Sequence, residues 1–468
     1  MKKIVIAFYF LLLTFDFVGQ TVTQKLQKAF TAFEKDSQLK HAISSLYVID
    51  ANSGQVVFDK NSQVGLAPAS TQKIITSVTA FELLGKDYRY RTELGYDGSI
   101  NNGSLKGNLY FFGSGDPTLG SWRWNNTKEQ VIIEKFLKAL NNEGISKMEG
   151  LVYCDISKWE NRSVNDGWIW QDIGNYYGAG VSALMWRENQ FDIHLRSGKK
   201  IGDPVEILHT VPHTVYLNNY ISLLSSAAKG TGDNAYATYS PRLLRGTIPI
   251  EEKDFVISAA FANGHVQFAW SFVDTLIKRN FGKNINPSII DQTVNERKAN
   301  FLKGGKIIYS EPSPSLDSII YWFNKKSINL YGEALIKTFA YEKNGFGSTD
   351  SGVVVVKKFW KEKGMDEGEL NIVDGSGLSP LNRVTTHAQV AILKYATSKS
   401  WFPYFYNSLP EYNGMKMKSG TIRGVKGFCG YHKAKNGKEY IFSFLVNNYN
   451  GSSSSLVNKM YKVLDILK

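Results

Sequence analysis

The chain has 468 residues, of which 43% are hydrophobic and 13% aromatic, and its formal net charge is +13. This length fits two or three domains, and the apolar content excludes a generally disordered protein. The positive charge favours contact with polyanions, or it reflects a solvated lysine-rich surface.

An export signal is predicted at the N-terminus. Lys2 and Lys3 precede an apolar run over residues 4–13, and Gly19 and Gln20 are small or polar residues near the expected cleavage point. The run is too short to span a bilayer. We therefore predict that residues 1–20 are a signal peptide and that the mature protein is extracytoplasmic, in the periplasm, without stable membrane insertion. A buried N-terminal helix is the alternative interpretation.

A hairpin followed by a helix is predicted next. Residues 45–59 contain two β-rich runs on either side of an Asn-Ser-Gly turn. Ser70 then begins a run whose apolar residues recur at helical spacing. A serine at a helix N-terminus lies where backbone N–H groups favour negative charge, and Lys73 projects from the same face. A simple capping role for Ser70 is the alternative.

The chain changes character over residues 90–295. Residues 91–116, 150–155 and 191–223 are strand-like runs separated by glycine and asparagine turns, and residues 229–240 are typical of a surface loop. We therefore predict an inserted β-rich region over 90–295 that comprises two subdomains.

Helical spacing resumes over residues 315–323 and 330–339. The short gap between these helices places Ser327 and Asn329 in a tight loop, from which both side chains can converge on a cleft. Asn329 as an ordinary turn residue is the alternative.

The C-terminal part is predicted to contain three strands, at residues 415–421, 427–432 and 440–447, and then a helix over 456–467. The first of these strands carries Lys418, for which an exposed edge-strand lysine is the alternative interpretation. With the N-terminal hairpin, this pattern predicts an α/β (α+β) sandwich. One antiparallel sheet flanked by helices is assembled from both chain ends, residues 21–89 and 296–468.

Three short motifs occur in one order along the chain. They are Ser70-Thr71-Gln72-Lys73, Ser327-Ile328-Asn329 and Lys418-Ser419-Gly420-Thr421. Each is weak alone, since the first spacing also occurs at Ser37/Lys40, but together they provide a nucleophile, an amine one helical turn away, a second hydroxyl, an amide and a second cation. This motif set is the one found in serine β-lactamases and penicillin-binding proteins.

With these motifs the chain resembles the D-alanyl-D-alanine carboxypeptidase/endopeptidase branch of low-molecular-mass penicillin-binding proteins, the class C type with a large insertion after the Ser-x-x-Lys motif. The likeness extends to residues 107–110, 113–117, 152–157 and 374–379. It implies a serine β-lactamase/transpeptidase-like sandwich with inserted β-rich domains. Ile328 and Ser419 depart from the usual residues of the second and third motifs without removing a side chain that the chemistry needs.

The chemistry that the motifs allow is acyl transfer through a serine. Ser70 needs a base within hydrogen-bond reach, and Lys73 can serve if burial and a second cation lower its pKa. The resemblance implies a substrate R-D-Ala-D-Ala, an acyl-enzyme on Ser70, oxyanion binding by the backbone N–H groups of Ser70 and Thr421, and carboxylate binding by Lys418 and Thr421. It assigns Ser327 to proton relay and Asn329 to holding the substrate amide and Lys73. The expected catalytic residues are Ser70, Lys73, Ser327, Asn329 and Lys418, and the expected substrate-binding residues are Ser419, Gly420, Thr421 and Asp155.

Two further positions remain open at this point. The resemblance associates Asp155 with the free amino-acid end of a meso-diaminopimelate side chain, and the alternative is a strand-end aspartate that caps its own turn. Asp374-Gly375 is interpreted as a plain turn that shapes the site without taking part in the chemistry.

Neither a cofactor nor a metal site is predicted. Cys154 and Cys429 are the only cysteines, so either one disulfide or two buried thiols can form. A proline between His209 and His213 spoils a helical pair of metal ligands, and all seven histidines are interpreted as structural or surface residues.

The leading functional hypothesis is a serine-type D-Ala-D-Ala carboxypeptidase or D,D-endopeptidase that acts on peptidoglycan peptides. Its expected partners are these peptides and β-lactam antibiotics as inhibitors, with no nucleic acid, and a homodimer is allowed. The alternatives are a β-lactamase of the same fold and a peptidoglycan-binding protein whose site has decayed.

Overall fold

The computed structural model describes residues 20–213, 220–291, 301 and 304–468. Residues 1–19 of the predicted signal peptide and the predicted domain boundary at residue 296 therefore lie outside the described residues. Within the described part of the chain, no helix is both long enough and apolar enough to cross a membrane.

The described strands fall into several sheets. In chain order they are β1 (Ile43–Asp50), β2 (Val56–Lys60), β3 (Arg91–Tyr96), β4 (Ser99–Asn101), β5 (Ser104–Lys106), β6 (Leu109–Phe112), β7 (Lys147–Glu149), β8 (Leu151–Asp155), β9 (Gln190–Arg196), β10 (Glu206–Val211), β11 (Ile221–Ser222), β12 (Ser225–Ala227), β13 (Tyr236–Ala237), β14 (Leu243–Arg245), β15 (Thr247–Pro249), β16 (Phe255–Ala260), β17 (Asn286–Ile290), β18 (Lys306–Pro312), β19 (Leu370–Asn371), β20 (Arg383–Val384), β21 (Glu411–Tyr412), β22 (Met415–Ile422), β23 (Val425–Lys433) and β24 (Glu439–Asn447).

The described α-helices, again in chain order, are α1 (Val22–Glu34), α2 (Lys73–Leu83), α3 (Glu129–Asn142), α4 (Trp170–Ile173), α5 (Gly264–Lys278), α6 (Leu316–Lys325), α7 (Asn329–Asn344), α8 (Thr349–Glu362), α9 (Thr386–Thr397), α10 (Phe402–Ser408) and α11 (Ser453–Leu464). A single 3-10 turn, Ala69–Gln72, leads directly into α2.

The main sheet is antiparallel and is built from both chain ends. Its strand order is β2-β1-β24-β23-β22-β21, and every neighbouring pair is antiparallel. One face packs on α1 and α11 through a buried cluster that includes Phe30, Phe444 and Met460. The opposite face packs on α2 and α9. The predicted hairpin, the three C-terminal strands and the sandwich are confirmed.

Helix α2 passes through the centre of the molecule. Every residue from Lys73 to Phe81 is buried, whereas the spacing of its apolar residues predicts burial on one face only. Buried threonine and serine side chains fill the remaining faces; Thr76 and Thr79, for example, donate their hydroxyl hydrogens to backbone carbonyls. A helix covered on all sides is a rigid support for the side chains at its N-terminus.

The inserted region is mixed in structure, so its description as β-rich is incomplete. A five-stranded sheet of order β17-β8-β6-β3-β18 combines parallel and antiparallel pairs. Helices α3 and α5 pack against this sheet. Strand β18 pairs with β3 and so joins this sheet up to Pro312, and the predicted end of the insert at residue 295 stays a prediction.

The strands from β9 to β16 lie around a separate hydrophobic cluster, which includes Phe191, Leu195, Leu244 and Phe261. The five-stranded sheet instead shares one buried cluster with the helices beside the main sheet, in which Phe111 and Phe268 join Ile74 and Phe323. Two subdomains within the insert stay a prediction.

Candidate active site

Ser70 lies at a strained turn. The preceding residue, Ala69, is fully buried and has a left-handed backbone with φ of +46°, which a non-glycine residue adopts only when the surroundings enforce it. The Thr71 N–H donates to Pro68 O at 3.2 Å and closes the turn. The strain therefore occurs at the residue next to the candidate nucleophile, a common location for it in active sites.

Strand β22 runs close to this turn because residue 420 is glycine. A Cβ atom at Gly420 would lie 2.6 Å from Pro68 O, 2.8 Å from Thr71 N and 3.0 Å from Ser70 N. Any side chain would push the strand away from the start of α2. The glycine thus allows the backbone next to Thr421 to lie close to the Ser70 N–H.

Gly377 makes a second close approach and provides a test of the turn. Its φ is +81°, and an added Cβ would lie 2.0 Å from Ala69 O. We expect Gly377→Ala to destabilise the protein by more than the about 1–3 kcal/mol of backbone strain alone and to slow acylation of Ser70. Thermal unfolding and penicillin labelling measure the two effects.

The matched control for this variant is Gly364→Ala. Gly364 also has a positive φ, +86°, but nothing lies within 4 Å of its added Cβ, so the control carries the backbone strain without the overlap. Equal losses of stability in the two variants, with normal labelling of both, would contradict the importance of the Gly377 contact.

Lys73 has three polar neighbours that suit a neutral amine. Its Nζ lies 2.6 Å from Asn329 Oδ1, 2.7 Å from Ser376 O and 2.9 Å from Ser70 Oγ. The first two atoms are carbonyl oxygens and only accept hydrogen bonds, whereas the hydroxyl can also donate. A neutral amine can donate its two hydrogens to the carbonyls and offer its lone pair to the Ser70 hydroxyl.

The charges around Lys73 favour this neutral form. Complete burial and, next, the Lys418 ammonium lower the pKa of Lys73 well below its ordinary value, while the carboxylates of Asp374 and Glu333 act in the opposite direction. The sequence-based prediction of a lowered pKa, with burial and Lys418 as its causes, is confirmed.

Ser327 lies as predicted in the loop between α6 and α7, whereas Asn329, which was predicted in the same loop, is the first residue of α7. Ser327 has a left-handed φ of +56°, and its Oγ lies 3.0 Å from Lys418 Nζ. Asn329 begins α7, and its amide group donates from Nδ2 to Tyr177 O at 2.8 Å while Oδ1 accepts from Lys73. The amide orientation is thus held from both sides.

Lys418 is buried beside the second motif. Its Nζ donates to Ser419 O at 2.8 Å, and burial lowers its pKa to about 7. The structure therefore brings together the five predicted catalytic side chains. They form two hydrogen-bonded groups: Lys73 with Ser70 and Asn329, and Lys418 with Ser327.

A cleft of about 1410 Å³ lies at this site, and Lys73 and Lys418 are buried and do not line it. Ser70, Ser327, Asn329 and Thr421 line it. Asp155 is not part of this lining; it is buried at the end of β8, where its Oδ1 accepts a hydrogen bond from Ser157 N at 2.8 Å. This contact is the one expected of a strand-end aspartate that caps its own turn, and a role of Asp155 in substrate binding stays a prediction.

Asp374 is a buried junction of hydrogen bonds, so its interpretation as a plain turn is wrong. Its carboxylate accepts from five donors: Gln72 Nε2, Trp168 Nε1, Gly377 N, Ser379 N and Asn382 Nδ2. These donors belong to the Ser70 turn, to the insert and to the loop after Asp374. The prediction that this segment shapes the site is supported, because hydrogen bonds to this carboxylate hold three chain regions together beside Lys73.

A segment of the insert completes the site. The sequence analysis did not predict this contribution. Besides the contacts of Trp168 and Tyr177, the Ser379 hydroxyl donates to Gly167 O at 2.6 Å. On the same side of the cleft Arg123 pairs with the buried Glu188 at 2.7 Å. Contacts between residues more than 150 positions apart leave no local pattern in a single sequence.

Lys426 was not predicted as a site residue, although the register of its hairpin indicates its position. It lies opposite Thr421 in the β22–β23 hairpin, and its Nζ donates to Thr421 Oγ1 at 2.7 Å. Counting register from the Arg423-Gly424 turn would have placed this cation next to the third motif.

The two cysteines, Cys154 on β8 and Cys429 on β23, are buried free thiols. Of the two alternatives that the sequence left open, the structure thus contains the pair of thiols.

Comparison with known proteins places this chain in a family. The model of the D-Ala-D-Ala carboxypeptidase 3 (S13) family matches residues 26–411. The chain belongs to the S13 family. The sequence-based identification as a low-molecular-mass D-Ala-D-Ala peptidase is therefore confirmed, and so is its assignment as a serine-type hydrolase.

Relatives of this S13 peptidase cover most of its length. The D-alanyl-D-alanine carboxypeptidase of Actinomadura sp. (strain R39) is 25% identical over an alignment of 471 positions, which covers 93% of this chain and 83% of the relative. The D-alanyl-D-alanine carboxypeptidase DacB of Haemophilus influenzae is 25% identical over 420 residues, with 85% and 84% covered.

The fold agrees with a solved structure. Penicillin binding protein 4 of H. influenzae superposes with a TM-score of 0.78 over 94% of this chain and 98% of that chain, at 21% identity. The predicted β-lactamase/transpeptidase-like fold of this S13 peptidase is thus confirmed. A second structure of that protein contains a β-lactam and has a TM-score of 0.72.

Proposed function

We propose that this S13 enzyme removes the terminal D-alanine from R-D-Ala-D-Ala peptides of peptidoglycan through an acyl-enzyme on Ser70, and that penicillins acylate the same hydroxyl. The contact of 2.9 Å between Lys73 Nζ and Ser70 Oγ carries the proposal. Two S13 relatives described as D-alanyl-D-alanine carboxypeptidases support the substrate class.

In the acylation step, Lys73 accepts the Ser70 hydroxyl proton as the oxygen attacks the penultimate D-alanine carbonyl. The backbone N–H groups of Ser70 and Thr421 stabilise the tetrahedral oxyanion, and one such donor is typically worth roughly 10²–10³ in rate. The close approach of β22 at Gly420 supports this assignment. Asn329 holds the Lys73 amine and is close enough to the cleft to bind the substrate amide.

In the leaving-group step, Ser327 passes a proton to the departing D-alanine amine. Its Oγ lies within hydrogen-bond distance of Lys418 Nζ, whose positive charge stabilises the Ser327 oxygen until it takes up the proton that Lys73 received from Ser70. Lys418, Ser419 and Thr421 bind the terminal carboxylate, and Lys426 adds positive charge next to Thr421. Water then releases R-D-Ala from Ser70.

The same site supports cleavage of cross-linked peptides. Its cleft of about 1410 Å³ exceeds the roughly 300–1,000 Å³ of ordinary small-molecule sites, which supports a substrate as large as a branched peptide. We propose D,D-endopeptidase activity as a second function. We also propose that the enzyme acts outside the cytoplasm and that it can form a homodimer.

Labelling with a fluorescent penicillin tests the proposal. The adduct should survive denaturation, and mass spectrometry should locate it on the peptide that contains Ser70. Release of D-alanine from a synthetic D-Ala-D-Ala peptide should accompany it. Rapid turnover of the adduct would support a β-lactamase instead, and absence of an adduct together with peptide binding would support a decayed site.

The pH dependence of peptide cleavage should be bell-shaped. The rising limb appears as Lys73 loses its proton and becomes a base, and the falling limb appears above about pH 7, because burial lowers the pKa of Lys418 to about 7 and its neutral form no longer attracts the substrate carboxylate. Measurement of kcat/KM between about pH 5 and about pH 9 checks both limbs.

The control is Lys418→Arg, since a guanidinium keeps its charge over this range. Its falling limb should move to higher pH even if its overall rate is lower. A falling limb at the same pH in both proteins would contradict the assignment to Lys418.

A further inference from the structure

Helix α7 carries a buried carboxylate that the three motifs do not include. Glu333 lies one helical turn after Asn329, and it is 3% exposed. Burial and, next, the Asp374 carboxylate raise its pKa to about 8. A glutamine would fill the same space without the cost of burying an ionisable group, so the retention of a carboxyl group here calls for a reason.

The contacts of Glu333 point to the loop that holds Lys73. Its Oε1 accepts from Ser376 N at 2.9 Å, and both of its oxygens lie 3.2 Å from Gly375 N. The carbonyl of the same Ser376 accepts from Lys73 Nζ at 2.7 Å. Ser376 therefore connects the carboxylate to the amine through two hydrogen bonds.

The loop that contains Gly375 and Ser376 is hydrogen-bonded by two helices. Helix α7 binds its N–H groups through Glu333, and α2 binds its carbonyls, since Thr76 Oγ1 donates to Gly375 O at 2.6 Å. Without Glu333, two buried N–H groups would lose their acceptor, and the loop would shift to satisfy them. Such a shift moves the Ser376 carbonyl and with it one of the three partners of Lys73.

We propose that Glu333 is a positioning residue for acylation: it fixes Ser376 so that the Ser376 carbonyl directs the Lys73 amine at the Ser70 hydroxyl. The inference rests on the proposed function of Lys73 as the base. Glu333 touches neither the substrate nor Ser70 in this arrangement, so its effect should appear in the rate of acylation and not in the affinity of the preceding complex.

Two substitutions separate the reach of the side chain from its carboxyl group. Glu333→Gln keeps the length of the side chain and one acceptor oxygen but places an amide NH2 group against Gly375 N. Glu333→Asp keeps the carboxyl group but withdraws it by one methylene group, beyond the reach of both N–H donors. If positioning is the role, the acylation rate constant falls in the order wild type, Gln, Asp, and the Asp variant loses on the order of 10²-fold, as expected for a displacement of about 1 Å.

The experiment measures the acylation rate constant and the Kd of the preceding complex for a fluorescent penicillin by stopped flow, together with the melting temperature. The control is Glu369→Gln, a buried carboxyl group that instead bonds to Thr385 and His387, and it should acylate at the wild-type rate. A fall in the acylation rate constant with Kd within about threefold of wild type supports positioning.

Several results would overturn the inference. Wild-type acylation rates in both variants would do so, as would a faster Asp than Gln variant or losses of affinity as large as the losses of rate. If the Asp variant does not fold, the Gln variant decides alone, with about a tenfold loss expected and a loss under twofold contradictory. Wild-type protein that is not labelled on Ser70 would instead refute the proposed function itself.

Discussion

Ser70→Ala should abolish covalent labelling by penicillin and lower kcat/KM on a D-Ala-D-Ala peptide by a factor on the order of 10⁴ or more, the loss typical of removing a serine nucleophile. The variant loses the hydroxyl that lies 2.9 Å from Lys73 Nζ. Its fold should persist, because the hydroxyl is partly exposed at the cleft and bears none of the backbone contacts of the turn. Gel fluorescence and peptide hydrolysis measure the two losses.

The matched control for this variant is Ser37→Ala. Ser37 has the same spacing to a lysine, Lys40, but both residues are exposed and lie away from the cleft. Its labelling and turnover should equal those of the wild type. Residual labelling of Ser70→Ala above that of heat-denatured protein would place the nucleophile elsewhere.

Lys73→Arg and Lys73→Met should both lower the rate constant of acylation by roughly 10²–10⁴-fold, the usual contribution of a general base. Arginine keeps the positive charge but does not deprotonate, and methionine keeps the length without a basic group. Equal losses in the two variants therefore assign Lys73 to proton transfer, whereas a charge-stabilising role would leave the arginine variant active. Stopped-flow acylation by a fluorescent penicillin provides the rates.

Lys40→Met is the corresponding control and should acylate normally. The pH dependence offers a second check, since the rising limb of the wild-type profile should disappear in both Lys73 variants. A Lys73→Arg variant with more than about a tenth of the wild-type rate would contradict the base assignment.

The sequence predicted those parts of the molecule whose signals are local. The Ser70 motif begins a helix, Ser327 of the second motif lies between two helices, and the third motif lies on a strand of a hairpin, so periodicity placed these correctly. Their convergence followed from the family resemblance, because no periodicity states that Lys73 and Asn329, 256 residues apart, share a hydrogen bond.

The parts that sequence reasoning missed depend on burial and on distant contacts. Asp374-Gly375 has the composition of an exposed turn, and only tertiary packing shows that the carboxylate is surrounded by five donors. Glu333 occupies a helical position that also suits a surface residue. The placement of β18 in the inserted sheet required its pairing with β3, more than 200 residues earlier in the chain.

The contacts of Trp168 and Tyr177 have a consequence for dissecting the protein. One binds the carboxylate of Asp374 and the other orients the amide of Asn329, and the hydrophobic interior continues from the catalytic helices into the inserted sheet. A shortened chain that joins residue 89 directly to residue 313 would remove these hydrogen-bond partners of Asp374 and Asn329. It would also expose the apolar surface of the catalytic helices that the inserted sheet covers. We therefore expect such a shortened chain to lose peptidase activity together with the insertion.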